Sequence, residues 1–198
     1  MTDVWTQHAR TSGRRAVISP NISEADFDRV TAQQIAYVEP LLRRMLEGEP
    51  WAATLDYGCG PGRFLPMLEH LGGGRVVGYE PCQEYIRMAP AAPLTIITPN
   101  WHLARRFVYD MVFIWLVFGG LEGDLRAMAE DIAGVLRSGG LLVFADHVAN
   151  AQPPGRWWRF RRAATYVHMW ASAGIDIAEI GRCDQAGNEV TIFAGRRR

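Results

Sequence analysis

Cysteine is scarce in this chain. Cys59, Cys82 and Cys183 stand far apart, with neither the paired spacing of a zinc site nor the density of a disulfide framework. A reducing, cytoplasmic setting is the expectation. An excess of one charge is lacking too: 21 Lys and Arg balance 21 Asp and Glu. No global field therefore draws nucleic acid or an anionic membrane to the surface. The longest apolar run, 111–118, is too short to span a bilayer. The opening Met-Thr-Asp-Val-Trp lacks the basic-then-apolar order of a signal peptide. There is no internal repeat and no low-complexity linker. What is present is ordinary globular composition, 48% hydrophobic over 198 residues, enough for one domain with a full core.

One stretch organises the rest. Thr54-Leu55-Asp56-Tyr57-Gly58-Cys59-Gly60-Pro61-Gly62 reads as a buried strand, a tight glycine turn and a helix start. Glycine takes positive φ without steric cost and lets a ligand approach the backbone. Backbone N–H groups at the helix start then face the crevice, a nucleotide-type cradle at the carboxyl end of a strand. The dinucleotide fingerprint is one residue longer than this turn. Asp56, just before the turn, would repel a pyrophosphate but suit a cation. A second short apolar strand, 75–79, ends at Glu80, placed to accept hydrogen bonds from both hydroxyls of a ribose. A cationic ligand with a free ribose describes S-adenosylmethionine (SAM).

With these blocks the chain resembles the class I SAM-dependent methyltransferases of Rossmann-like fold. The resemblance rests on Leu55 to Gly62, Val77 to Pro81, Tyr109 to Phe113 and Val135 to Val143, in that order. It implies an α/β three-layer sandwich around a seven-stranded, mostly parallel sheet whose last strand pair is antiparallel. It implies one domain over 1–198: cap helices in 1–50, a SAM-binding core in 51–147, then a lid helix and terminal β-hairpin in 148–198. Asp56, Gly58, Cys59, Gly60, Gly62, Glu80 and Pro81 would hold the cofactor, with S-adenosylhomocysteine as product. Many members carry an acid after the third strand, beside the adenine. Here the stretch is Thr98-Pro99-Asn100-Trp101, so Asn100 would supply a carbonyl oxygen and Trp101 a ring face, or the loop has no adenine role. Ile114 and Trp115, at the end of the fourth strand, would face the reactive end of SAM.

Local patterns add detail. Residues 1–22 look irregular. Ser23 should cap a helix that Pro40 breaks or kinks. A helix from Gly62 to Leu71 should follow the turn, and another should run from Leu121 to Leu136 until Ser138-Gly139-Gly140 stops it. A basic, aromatic helix should span 156–173, and Arg196 to Arg198 should fray. His147, just past the fifth strand, is the candidate general base, against a plain capping role. His8, His102 and His168 rank below it.

The expected reaction is transfer of the SAM methyl group to oxygen or nitrogen of a small-molecule acceptor, with no metal. The Asn/Asp-Pro-Pro motif of base- and glutamine-methylating relatives is missing after the fourth strand. RNA or protein methylation stays open through the arginines and tryptophans of 156–162. A SAM-binding regulatory protein without turnover is the reading from another class.

Overall fold

The computed structural model describes residues 2–47, 51–72, 74–90, 93–153 and 158–198. Its centre is a seven-stranded sheet of order β3-β2-β1-β4-β5-β7-β6. The strands are β1 (Ala53–Tyr57), β2 (Arg75–Tyr79), β3 (Thr95–Thr98), β4 (Tyr109–Trp115), β5 (Leu136–Asp146), β6 (Ala178–Gln185) and β7 (Asn188–Arg196). β1 to β5 pair in parallel; β7 runs antiparallel to both β5 and β6. The expected sheet is therefore the observed one. Chain order reverses direction at β1, which lies between β2 and β4, and ligands of such sheets bind outside the strand ends at this point.

β4 shows why the sheet is buried on both faces. Met111, Phe113 and Trp115 pack with α2 (Glu24–Leu46) and α3 (Leu65–Gly72). Val112 and Ile114 point the other way, into a core shared with α6 (Leu125–Val135) and α7 (Ala163–Ser172). A strand covered twice is apolar at successive positions, and this one is. Two short helices, α4 (Gln83–Ile86) and α5 (Trp101–Ala104), follow β2 and β3.

Several local expectations are corrected. The first residues are not irregular: Thr2–Ser12 forms α1. It is tied down by buried Ala9, by the packing of Trp5 on Tyr85, and by a two-pronged bond from Arg10 to Glu84 Oε1 at 2.7 and 2.9 Å. α2 begins at its Ser23 cap but runs on through Pro40. Val38 and Leu42, on either side of that proline, are both fully buried, and their packing outweighs the lost hydrogen bond. α3 starts at Leu65 rather than Gly62, because the turn itself occupies the intervening residues. α6 begins only at Leu125, where the Asp124 side chain accepts from the N–H groups of Arg126 and Ala127. Ser138, Gly139 and Gly140 lie inside β5 instead of ending a helix; Gly139 N–H donates to Arg197 O at 2.8 Å and Arg197 N–H to Gly140 O at 3.0 Å. α7 starts at Ala163, and Arg161 before it is extended, bridging Val148. Arg156 and Trp157 of the expected basic helix lie outside the described residues.

The terminal arginines are not frayed. Arg197 donates to the carbonyls of Leu136 and Gly134 at the end of α6, and Arg198 to that of Ala171 in α7. Cations belong at helix carboxyl ends, where carbonyls are left without intrahelical partners. The β6–β7 connection is tight: Ala186 and Gly187 both take positive φ, 50° and 83°. That is the geometry of a two-residue primed turn.

Candidate active site

The glycine turn is shaped as its sequence suggested. Gly58, Gly60 and Gly62 have φ of 75°, 56° and 74°, a region that side chains rarely adopt. At Gly58 a Cβ would also sit 2.6 Å from Val117 Cγ2. Gly58 N–H donates to Tyr79 O at 2.8 Å, so the turn is stitched to the end of β2. Glu80, one residue further, closes the arrangement. Its Oε2 accepts from Gly60 N–H at 2.9 Å and its Oε1 from Cys82 N–H at 2.8 Å. Burial pushes the Glu80 carboxyl up to about 7, against the pull of those two donors.

A cavity opens at this point. Asp56, Gly58, Cys59, Gly60, Glu80, Pro81 and Trp115 all line it, brought together from β1, the turn, β2 and β4. Three polar atoms of its lining residues are buried without a partner among the described residues: Asp56 Oδ2, an acceptor, Trp115 Nε1, a donor, and the Tyr85 hydroxyl. Burial pushes Asp56 up to about 8; neighbouring Arg63 pulls it down and Glu80 adds to the rise. A cationic ligand would compensate this buried carboxyl and meet its open oxygen. The donor set and the open cradle at Gly60, where an added Cβ would meet only Val17 at 3.4 Å, fit S-adenosylmethionine.

Four expected residues stand outside this lining, for local reasons. Gly62 is inside the turn, donating to Cys59 O at 3.0 Å. Asn100 caps α5, its Oδ1 accepting from His102 N–H at 2.9 Å. Trp101 donates from Nε1 to Asp131 Oδ2 at 2.9 Å and packs on Tyr57 and Tyr79. Ile114 points into the opposite core.

A second cavity adjoins the first, sharing Trp5, Val17 and Leu116 with it. Leu116 has φ of 54°, a strain of about 1–3 kcal/mol for a bulky side chain. His147, Trp158, Phe160 and Gln185 belong to this second space. His147 is buried and its Nδ1 lies 2.7 Å from Glu189 O. A carbonyl only accepts, so Nδ1 carries the proton and Nε2 is the basic nitrogen. Its ring stacks on Phe160, centroids 5.2 Å apart and planes 19° from parallel.

Asp146, at the end of β5, was not expected as a site residue, yet it ties this wall together. Its carboxylate accepts from His147 N–H, Gly119 N–H, Trp158 Nε1–H and Tyr166 O–H, at 2.7 to 3.1 Å. Burial still raises it to about 6. Nothing in the sequence marks it, because its donors come from four separate segments. Trp5 reaches the same cavity from α1, a stretch whose sequence reads as irregular.

A methyltransferase-domain family model matches residues 30–177. No curated protein matches the sequence. Among solved structures, magnesium protoporphyrin IX methyltransferase from Synechocystis PCC 6803, with bound S-adenosylhomocysteine, is similar over 100% of both chains at 17% identity and TM-score 0.75. The same enzyme is also known with bound SAM. A putative methyltransferase in complex with the Haloferax volcanii Trm112 methyltransferase activator aligns over 98% of this chain and 96% of its own, at 18% identity and TM-score 0.68. The [4+2]-cyclase SpnF aligns over 81% and 80%, at 13% identity and TM-score 0.65. At such identities these likenesses speak for the fold, and one fold hosts many reactions. The match over residues 30–177 speaks for the family. The chain belongs to the methyltransferase-domain family and is a class I SAM-dependent methyltransferase.

Proposed function

We propose that this enzyme methylates an oxygen or nitrogen of a small molecule bound in the cavity beside His147. Asp56, the glycine turn and Glu80 hold the cofactor: Asp56 meets its cationic end, and Glu80 accepts from the ribose hydroxyls. The cofactor supplies a methyl group activated by a sulfonium. In-line displacement at carbon depends mainly on alignment, and Trp5, Val17 and Leu116 line both cavities. Trp115 lines the cofactor cavity. His147 Nε2 takes the acceptor's proton when the nucleophile is an alcohol, phenol or acid.

The observation that supports this reading is the bond between His147 Nδ1–H and Glu189 O, which orients the ring of a residue lining a space next to the proposed cofactor cavity. The described arginines next to that space already have partners, which favours a small acceptor. Arg159 pairs with Glu122, Arg161 donates to Phe118 O, and Arg162 to Asn150 O. The Synechocystis neighbour, named for a small-molecule substrate and alike over its full length, supports the same choice. The Haloferax neighbour, solved with a methyltransferase activator, makes an activating partner the second reading.

The experiment is transfer of radiolabelled methyl from SAM to a panel of phenols, carboxylic acids and amines, with total tRNA alongside. Once an acceptor is found, His147→Ala should lower kcat at least tenfold and leave the SAM Kd within twofold. Labelling of tRNA alone would overturn the small-molecule reading. Unchanged kcat would leave His147 as scaffold.

A further inference from the structure

Arg63 follows the last glycine of the turn and lines the cofactor cavity with Asp56. Its surroundings are unusual for a partly buried cation. Nη1 donates to Gln34 Oε1 at 2.6 Å and Nη2 to Gln185 Oε1 at 3.2 Å. The guanidinium lies over the Phe64 ring, 4.5 Å from its centroid. Among the described residues no carboxylate is within ion-pair distance of it. Burial lowers its pKa to about 9, and Asp56 opposes that shift from within the same cavity.

The amides are themselves held in place. Gln34, buried on α2, donates from Nε2 to Gln185 Oε1 and to Asp184 O, both at 3.2 Å. They fix the plane of the guanidinium but do not neutralise it. A partly desolvated cation whose direct hydrogen-bond partners are neutral is favoured further by a ligand anion that completes the site. A guanidinium has five N–H donors, and two of Arg63's are used by the glutamines, so donors remain for such an anion. The cofactor has one anionic group, the carboxylate of its amino-acid end, beside an ammonium and a sulfonium. Planar guanidinium and planar carboxylate match two bonds to two bonds.

We propose that Arg63 is the residue that recognises the amino-acid carboxylate of SAM and S-adenosylhomocysteine, while Asp56 meets the neighbouring positive charge. The inference rests on the Asp56 cavity being the cofactor site. It gives the enzyme a means to reject adenosyl thioethers and sulfoniums that lack the carboxylate.

The test is calorimetric titration with SAM and with decarboxylated SAM, which keeps the sulfonium, amine and nucleoside. The wild-type protein should bind SAM at least 30-fold more tightly. Arg63→Met should weaken SAM by about that factor and leave decarboxylated SAM within threefold, so that the ratio falls toward one. Arg63→Lys, which keeps the charge and is the milder change for the fold, should give a ratio between the two. A variant that weakens both ligands equally would make Arg63 a brace between α2 and the hairpin and overturn the proposal. So would a wild-type ratio near one. Failure of SAM itself to bind would instead remove the cofactor-site reading beneath it.

Discussion

Replacing Gly58 by alanine tests the turn on two separable terms. The first is conformational: φ at Gly58 is 75°, and a side chain there is disfavoured by about 1–2 kcal/mol. The second is steric: the new Cβ would lie 2.6 Å from Val117 Cγ2, and overpacking of this kind costs about 1–3 kcal/mol. Together they predict a loss of roughly 2–5 kcal/mol, or roughly 4–20 °C in Tm for a chain of this length. Val117→Ala removes the obstructing methyls. The double variant should therefore recover the steric part, about 1–3 kcal/mol, and leave the conformational part, which gives a coupling of that size in a double-mutant cycle. Urea denaturation of the four proteins measures all the terms. A Gly58→Ala protein within 0.5 kcal/mol of wild type, by linear extrapolation, would refute the turn geometry. Purely additive variants would refute the contact with Val117.

Two further outcomes concern the cofactor. Glu80→Ala should weaken SAM by roughly 1–3 kcal/mol, the scale of lost hydrogen bonds to a charged group, read by calorimetry; unchanged affinity would remove Glu80 as the ribose acid. SAM affinity should also depend on pH. Asp56 near 8 and Glu80 near 7 hold protons below those values, and only the ionised forms attract a cation. Kd should thus rise as pH falls from 8.5 to 6, by up to about tenfold per unit for each proton released. The sign for stability is opposite. A carboxyl raised from 3.8 keeps its proton in the folded state after the unfolded chain has lost it, so the ligand-free protein loses stability as pH rises from about 4 to about 8. A flat Kd over that range would show that Asp56 does not face the cation.

The parts of the site that were legible in the sequence are those in which the backbone itself makes the shape. A turn needing positive φ at Gly58, Gly60 and Gly62 must be written in glycine, and the acids flanking it lie within a few residues of a strand end. Parallel strands buried on both faces also announce themselves, as 111–115 does. The second cavity was legible only at His147. Trp5, Trp158 and Gln185 meet from three distant segments, and no local pattern marks any of them. Asn100 shows the converse: an amide after a strand suits an adenine contact and a helix cap equally well in sequence, and here it caps. α1 is amphipathic but poor in apolar residues, so its sequence reads as irregular; buried Ala9 and the grip of Arg10 on Glu84, 74 residues away, hold it in place.

The placement of β7 has a consequence for the order of assembly during synthesis. β6 is made before β7, yet within the sheet it bonds to β7 alone. It has no edge to join until β7 emerges and pairs with β5, a register that links residues about 50 positions apart. Pairings across such separations form slowly. Gln185 ends β6, and its Oε1 receives both Arg63 and Gln34. A nascent chain that already holds its glycine turn therefore still lacks the Gln185 brace on Arg63, in the wall of the cavity beside that turn, until the hairpin has docked.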